Sequence, residues 1–328
     1  MDFIGILGLT IGELFSPFTI AYVLCAMGLA MHFGFTGLLN FGQAAFAGLG
    51  AYGFSISVLS FGLDWWAAAL VGILSAVAFA FVLGIPTLRL RSDYLAIVTI
   101  AAAQALYFAL SASDFADLTG GSSGLHGFAE SFYAMNPIPE GRYTFIVTEM
   151  SERGVFISII GWVLVILVSI FLTALTKSPW GRVLKGIRED EDAVRSLGKS
   201  VFAYKMQSLI IGGVIAAVGG MIFILAPEYN SPGTWVTNFT FMIWTVLLLG
   251  GAATVLGPVV GGMSFFALLM LTEGVMTGLV DLGVLPFLNI SQVAQIRYLL
   301  VGLALMLLVI YKPQGFLGNK KETLINAR

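Results

Sequence analysis

The chain has 328 residues, 58% hydrophobic and 10% charged, with a formal net charge of -2 and a mean hydropathy of +0.95. Soluble domains carry about a quarter charged residues, and a single soluble core of this length could not hide so much apolar surface. The composition therefore excludes an ordinary soluble domain, and the near-neutral balance gives no basis for a nucleic-acid partner. In lipid every backbone polar group must be paired internally, which leaves helices or a closed barrel. The apolar runs are continuous for about 20 residues and do not alternate with polar ones, which excludes the barrel. The expected fold is all-α: a polytopic helical membrane protein of about nine (roughly eight to ten) transmembrane helices.

Met1-Asp2 opens the chain without a basic leader, so the first apolar segment is expected to stay as a membrane helix. Nine spans are expected in order: 13–33, 35–58, 64–86, 93–113, 155–176, 206–227, 238–256, 257–278 and 296–312. Two are ambiguous. The 35–58 stretch contains Gly42, Gly48, Gly50 and Gly53, and 238–262 is interrupted by Gly250, Gly251, Gly257 and Pro258; each reads equally as a full span, a broken helix or a re-entrant segment. Trp65 and Trp66 fall at a span edge, where the interface favours indole rings. The one cysteine, Cys25, lies inside the first run and excludes an intrachain disulfide.

Lys and Arg are retained on the cytoplasmic side. Lys177, Arg182, Lys185, Arg188, Arg195, Lys199 and Lys205 crowd the loop 177–205; Arg89 and Arg91 follow the third span; Lys312, Lys320, Lys321 and Arg328 mark a tail, 313–328. These regions are expected in the cytoplasm. The acidic, Gly/Ser-rich loop 114–154, with Asp114, Asp117, Glu130, Glu140, Glu149 and Glu152, is expected outside. The whole chain then reads as one transmembrane domain, 1–328, with its N-terminus outside and its C-terminus inside. Arg89, Arg91 and Asp93 read either as a topology anchor or as an ion-pair contact to a partner or to the 189–198 segment.

The cytoplasmic loop holds a candidate short helix. Glu189, Asp190, Glu191 and Asp192 crowd its start, favoured by the dipole; Gly198 stands where a left-handed cap would sit; Val194, Leu197 and Val201 recur at helical spacing. It reads as a solvated connector or as a coupling helix that docks on a cytoplasmic partner. Ala193 through Gly198-Lys199-Ser200 also matches a loose phosphate-loop pattern, but no strand precedes it and four acids stand upstream, so ATP binding by this chain is not expected.

Within the spans the clearest features are glycines and a few polar groups. Gly212, Gly213, Gly219 and Gly220, and the pair Gly257 and Gly261, suit close helix packing, a mobile gating interface, or both. Asn40 and Gln43, three apart on one face if helical, and Gln104 are candidate lining of a translocation path; a core hydrogen-bond role is equally open. Thr99 and Glu273 are weaker candidates, the latter at either a pore or an outer helix end. His32 and His126 have no metal-ligand spacing, and no catalytic constellation is present, so no enzymatic reaction is expected.

Four stretches taken together resemble the permease subunits of branched-chain amino acid ABC importers, particularly the LivM type. They are Gly37-Leu-Leu-Asn40-Phe-Gly42-Gln43 through Tyr52; Leu88-Arg-Leu-Arg-Ser-Asp-Tyr94 with Thr119-Gly-Gly121 and Gly124; Trp180-Gly-Arg182 through Ile187-Arg-Glu-Asp-Glu191 to Gly198; and Leu249-Gly-Gly251 with Gly257-Pro258 and Gly261. Asp192-Ala193-Val194 with Gly198 is similar to the Glu-Ala-Ala-xxx-Gly signature of such importers, which implies an ATPase-coupling role for Arg188, Glu189, Asp190, Glu191, Asp192, Ala193 and Gly198. Many relatives have Ser-Leu-Gly-His where this chain has Asn40-Phe-Gly-Gln43. The resemblance implies a second permease subunit, usually in a heterodimer, two cytoplasmic ATPases that use ATP and Mg, an extracytoplasmic solute-binding protein and a bacterial cytoplasmic membrane. No cofactor or metal is expected on this chain itself. Branched-chain or related amino acids, urea or short amides, and, from another class, ion-driven secondary transport stay open as cargo and mechanism.

Overall fold

The computed structural model describes residues 3–89, 92–145, 148–282 and 290–318. The chain opens with α1 (Phe3–Leu14) and α2 (Pro17–Leu29), which runs on into a π-helical turn, Ala30–Phe35. Residues 37–42 are unwound before α3 (Gln43–Phe61) and α4 (Trp65–Thr87). Next come α5 (Ser92–Ser111) and a connecting segment with two single turns, α6 (Ala116–Thr119) and α7 (Glu130–Tyr133). α8 (Glu152–Lys177) leads into α9 (Pro179–Glu189), α10 (Glu191–Ser196) and α11 (Val201–Leu225). α12 (Thr237–Gly250), α13 (Gly257–Asp281) and α14 (Ile290–Tyr311) complete the fold.

Seven helices among the described residues are long and apolar enough to cross a membrane: Pro17–Phe35, α3, α4, Tyr94–Ser111 of α5, α8, α11 and α13. Two expected boundaries need correction, and the two ambiguous segments are resolved as broken. The first span starts later than 13, because Ser16 caps a new helix: its Oγ accepts the Thr19 N–H at 3.2 Å and Pro17 occupies the first helical position. The residues ahead of it form α1, which lies along α13 and which the hydropathy reading did not foresee. The 35–58 run is broken, with helix only from Gln43. The sixth span begins at Val201, which draws Lys205 out of the loop and into a helix. Finally, 238–256 is a helix of only 14 residues, about 21 Å long against roughly 30 Å of hydrocarbon. It ends at Gly250, and Gly251, at φ +116°, turns the chain towards α13.

The centre of the molecule is α11, packed against α2, α3 and α4. Burial separates centre from rim: 89% of the α2 span window is buried, against 17% for α13. Small residues set this arrangement. A methyl group added at Gly212 would lie 2.4 Å from Gly28 O, and one at Gly219 2.7 Å from Cys25 Sγ, both on α2. One turn round, Gly213 meets the Phe46 ring at 2.5 Å and Gly220 meets Ala47 O at 2.0 Å, both on α3. Two heptad-spaced glycine pairs thus bring three helices to backbone contact, where lipid supplies no hydrophobic drive.

Outside the bundle, β1 (Leu125–His126) pairs antiparallel with β4 (Tyr229–Asn230), and β2 (Arg142–Phe145) with β3 (Thr148–Ser151). The backbone of the 114–154 loop is irregular: Gly120, Gly121, Gly124 and Gly127 all have positive φ. The loop is held down by Arg153, which pairs with Glu228 and lies 4.9 Å over the Tyr133 ring. Tyr133 in turn donates to Leu225 O at 2.8 Å, and burial first, then the Glu228 charge, holds its phenol well above the ordinary range.

Candidate functional site

The site is the break between α2 and α3. An apolar segment unwinds at a cost, because each backbone group taken out of a helix in a membrane must find another partner. The sequence supplies those partners from neighbouring helices. Thr99 of α5 accepts the Phe41 N–H at 3.0 Å, Thr240 of α12 accepts the Ala44 N–H at 2.9 Å, and the Trp244 indole of α12 donates to Asn40 O at 3.1 Å. Asn40 Oδ1 accepts the Gly42 N–H at 2.8 Å, folding its side chain over the break. Trp244 also stacks on Phe41, centroids 4.8 Å apart and planes 20° apart. Gly37, at φ +76°, makes the left-handed step that a side chain would oppose.

Behind the break runs a fully buried polar chain. Asn40 Nδ2 donates to Gln43 Oε1 at 2.9 Å and lies 3.0 Å from His32 Nδ1; Gln43 Nε2 donates to Cys25 O at 3.0 Å; His32 Nε2 lies 3.1 Å from Leu209 O. Thr36 and Ser208 hydroxyls are 2.6 Å apart, and Ser208 donates to Met31 O at 3.1 Å. Asn40, Gln43 and His32 have no exposed surface. Asn40 and Gln43 therefore meet, but not through helical spacing: Asn40 is in the unwound stretch and Gln43 opens α3. In this conformation their amides act within the core. Gln104 is apart from them, half-buried on α5, accepting from Thr237 Oγ1 at 3.5 Å. Glu273 lies elsewhere again, in a groove between α1 and α13.

The loop 177–205 is a helical hairpin rather than one helix. Ser178 caps α9, accepting the Gly181 N–H at 3.3 Å, and Gly181, Leu184 and Ile187 bury its inner face. Asp190 ends α9 and caps α10, its Oδ1 accepting the Ala193 N–H at 3.0 Å. Glu191 and Asp192 occupy the first turn of α10, both paired with Arg195. Glu189 closes α9, exposed, and Gly198 adopts φ +76° just past α10. The expected apolar face divides: Val194 is buried against Gly186 and Val201 begins α11, while Leu197 is 79% exposed at the hairpin tip. Residues 193–200, the phosphate-loop match, are α10 and its exit, with α9 before them instead of a strand.

Beside the Trp180 indole, which donates to Gln207 Oε1 of α11 at 2.7 Å, two contacts near the break tie this hairpin to the bundle. The Arg188 guanidinium donates to Gly34 O in the π turn, and its stem lies under Gly37, where an added methyl would be 3.1 Å from Cγ. Glu191 pairs with Lys205 of α11, whose side chain is only 9% exposed. Between hairpin, break and the end of α4 lies a cleft of about 240 Å³, walled by Gly37, Leu38, Leu88, Arg188, Glu189 and Lys205. Arg89 borders the neighbouring cleft, its guanidinium 5.6 Å from the Phe202 ring centroid; Arg91 and the Asp93 side chain lie outside the described residues.

At the other side of the break, Gly257 and Gly261 close the α12–α13 turn: added methyls would lie 2.2 Å from Gly251 O and 2.0 Å from Val246 O. The chain after α14 returns to this turn, and Phe316 N and Leu317 N donate to Leu249 O and Gly250 O, both at 2.9 Å, capping α12. Of the expected tail, residues 319–328 lie outside the described residues.

Sequence reasoning reached Asn40, Gln43, Thr99 and Arg188 but missed Thr36, Ser208, Thr240 and Trp244. The three hydroxyls and the indole sit singly in apolar runs, where a side chain bonding its own helix looks the same in sequence.

A bundle of apolar helices, close-packed on glycine and carrying a charged hairpin tied to the unwound link between two spans, fits a multi-pass membrane protein of the permease class. Residues 15–310 match the family described as branched-chain amino acid transport system / permease component, and the chain belongs to that family. It is 27% identical over 316 residues to the high-affinity branched-chain amino acid transport system permease protein LivM of Escherichia coli K12, covering 93% of this chain and 70% of that protein. It is 24% identical, over 91% of both chains, to a probable LivM permease of Methanocaldococcus jannaschii. A shorter match, 29% over 110 residues and 32% of this chain, is to the autoinducer 2 import system permease protein LsrC of Photorhabdus laumondii.

Proposed function

We propose that this chain is the membrane-spanning permease subunit of an ATP-driven importer for branched-chain or related amino acids. It crosses the cytoplasmic membrane nine times, the seven long helices together with α12 and α14, with its N-terminus outside and its C-terminus inside. The charge of α9 and α10 supports this orientation, since both lie in the stretch richest in Lys and Arg. It works beside a second permease, most simply as a heterodimer. Two cytoplasmic ATPases supply the energy with ATP and Mg, and an extracytoplasmic binding protein delivers the solute. Cargo in this reading follows the names of its full-length relatives.

One observation carries the proposal: a capped, charged hairpin, with exposed Leu197 at its tip, is joined by Arg188 and Glu191 to the break in the bundle and to the central helix. A mere connector has no need of such ties. The test is co-purification with the ATPases, followed by leucine uptake into proteoliposomes with ATP inside and proton and sodium gradients collapsed. Uptake that persists supports the reading; uptake that vanishes with the gradients, or that the chain performs alone, refutes it.

A further inference from the structure

We infer that Arg188 is a positioning residue that passes movement of the cytoplasmic hairpin to the unwound stretch 37–42, making that stretch the hinge of transport. The inference rests on the permease reading above and names the internal receiver of its motion.

The break is built to move. Helices elsewhere are held by continuous backbone ladders, whereas here backbone bonds stop at Gly37 and Leu38 and the rest is held by single side-chain bonds, Phe41 N–H to Thr99 and Asn40 O from Trp244, with Gly34 O in the adjoining turn taken by Arg188. A π turn adjoins it, and such turns store a local choice of hydrogen-bond partner. Thr99 and Trp244 come from α5 and α12, helices of the bundle itself. Arg188 comes from α9, outside it, on the hairpin that ends at Leu197. Its grip has two points, the guanidinium on Gly34 O and the stem under Gly37, so a shift of α9 bears on both ends of the left-handed step. Gly34 also abuts the α12–α13 turn: an added methyl there would be 1.8 Å from Ala252 O. The same residue thus receives Arg188 and touches the turn, and displacement at one is felt at the other. A planar fork on a carbonyl, backed by a packed stem, suits this task better than a flexible ammonium.

The experiment uses the complete complex in proteoliposomes, with Cys25→Ser and Leu38→Cys placing one thiol of this chain in the cleft wall beside the break, where Leu38 is 3% exposed. Thiol modification at 38 is followed by mass spectrometry with and without ATP and vanadate, alongside uptake and ATP hydrolysis. With Arg188 present, nucleotide trapping is expected to change the modification rate about tenfold or more. In Arg188→Gln the change is expected to disappear and solute moved per ATP to fall about tenfold, with assembly and hydrolysis within about twofold; Arg188→Lys should fall between. An assembled Arg188→Gln complex that keeps both the nucleotide response and the uptake ratio overturns the inference alone. So does an unassembled Gln variant beside a Lys variant that behaves as the parent, since that describes a structural role. A parent complex without ATP-driven uptake overturns the permease reading and this inference together.

Discussion

Two neighbouring regions join helices by opposite means. Along α11, Gly212 and Gly220 bring backbone against backbone at Gly28 O and Ala47 O, while Gly213 and Gly219 seat the Phe46 ring and the Cys25 thiol directly on the helix. Across the break at 37–42, contact is made by side-chain hydrogen bonds reaching from α5 and α12, with one from α9 to Gly34 in the adjoining π turn. The first kind of joint has no second arrangement within reach, because any rotation drives a carbonyl into a Cα. The second can exchange one partner for another at a cost of about one hydrogen bond. The contrast assigns rigidity to α2–α3–α4–α11 and motion to the chain that enters α3, although both lie within one helix diameter of His32.

The most severe way to break this contrast is to thicken the glycine seam. Gly220→Ala places a methyl 2.0 Å from Ala47 O, a clash with backbone that no rotamer relieves. It should cost about 3 kcal/mol or more and abolish the monodisperse peak in detergent chromatography. Gly302→Ala, with nothing within 4 Å of the added methyl, is the control and should match or slightly exceed the parent's melting temperature. Equal behaviour of the two would mean that α11 is not the rigid centre.

Next come the bonds at the break. Trp244→Phe keeps a ring near Phe41 but withdraws the donor from Asn40 O; Thr99→Val withdraws the acceptor from Phe41 N–H. Each should lower thermal stability by about 1–3 kcal/mol, the penalty for a buried orphan group. The double variant should lose less than the sum, because one stretch relaxes for both. Strict additivity would show the two bonds to be independent packing contacts. Lys205→Ala and Glu191→Gln should separate in the same assay. Removing Glu191's charge leaves an ammonium only 9% exposed without its partner, so Glu191→Gln should cost more than Lys205→Ala, which leaves a 36%-exposed carboxylate with access to water.

How much of this was legible in the sequence follows the same division. Apolar length and Lys/Arg bias located the long spans, and the heptad spacing of the α11 glycines was visible without coordinates. The unwound stretch was less so: Gly37-Leu-Leu-Asn-Phe-Gly42 is as apolar as a helix, and only Gly42, with Gly48, Gly50 and Gly53 beyond it, hinted at a break. That its backbone would be caught by Thr99, Thr240 and Trp244 was beyond reach, because those residues lie 58 to 204 positions away along the chain. α1 escaped for a different reason. Its 12 residues fall short of a span, and the boundary at Ser16-Pro17 is a capping signal that a hydropathy window averages away. Arg188 was reached through family resemblance; its contact with Gly34 was not.

The finest probe asks whether α10 matters as a helix or as a cluster of charge. Asp190 Oδ1 caps α10 by accepting the Ala193 N–H at 3.0 Å, and its carboxylate also adds to the acidic start of the helix. Asp190→Asn keeps the cap and removes the charge; Asp190→Ala removes both. Caps contribute about 1 kcal/mol, and Asn serves nearly as well as Asp. If the hairpin transmits motion as a rigid lever, Asn should hold the uptake per ATP near the parent value and Ala should lower it severalfold, a six-residue helix having few other bonds to keep it wound. If instead the partner reads charge, Asn and Ala should fail alike, and raised salt should weaken the parent in the same direction. Arg142→Ala, in an outer ion pair exposed at 81% and 57%, should change neither quantity.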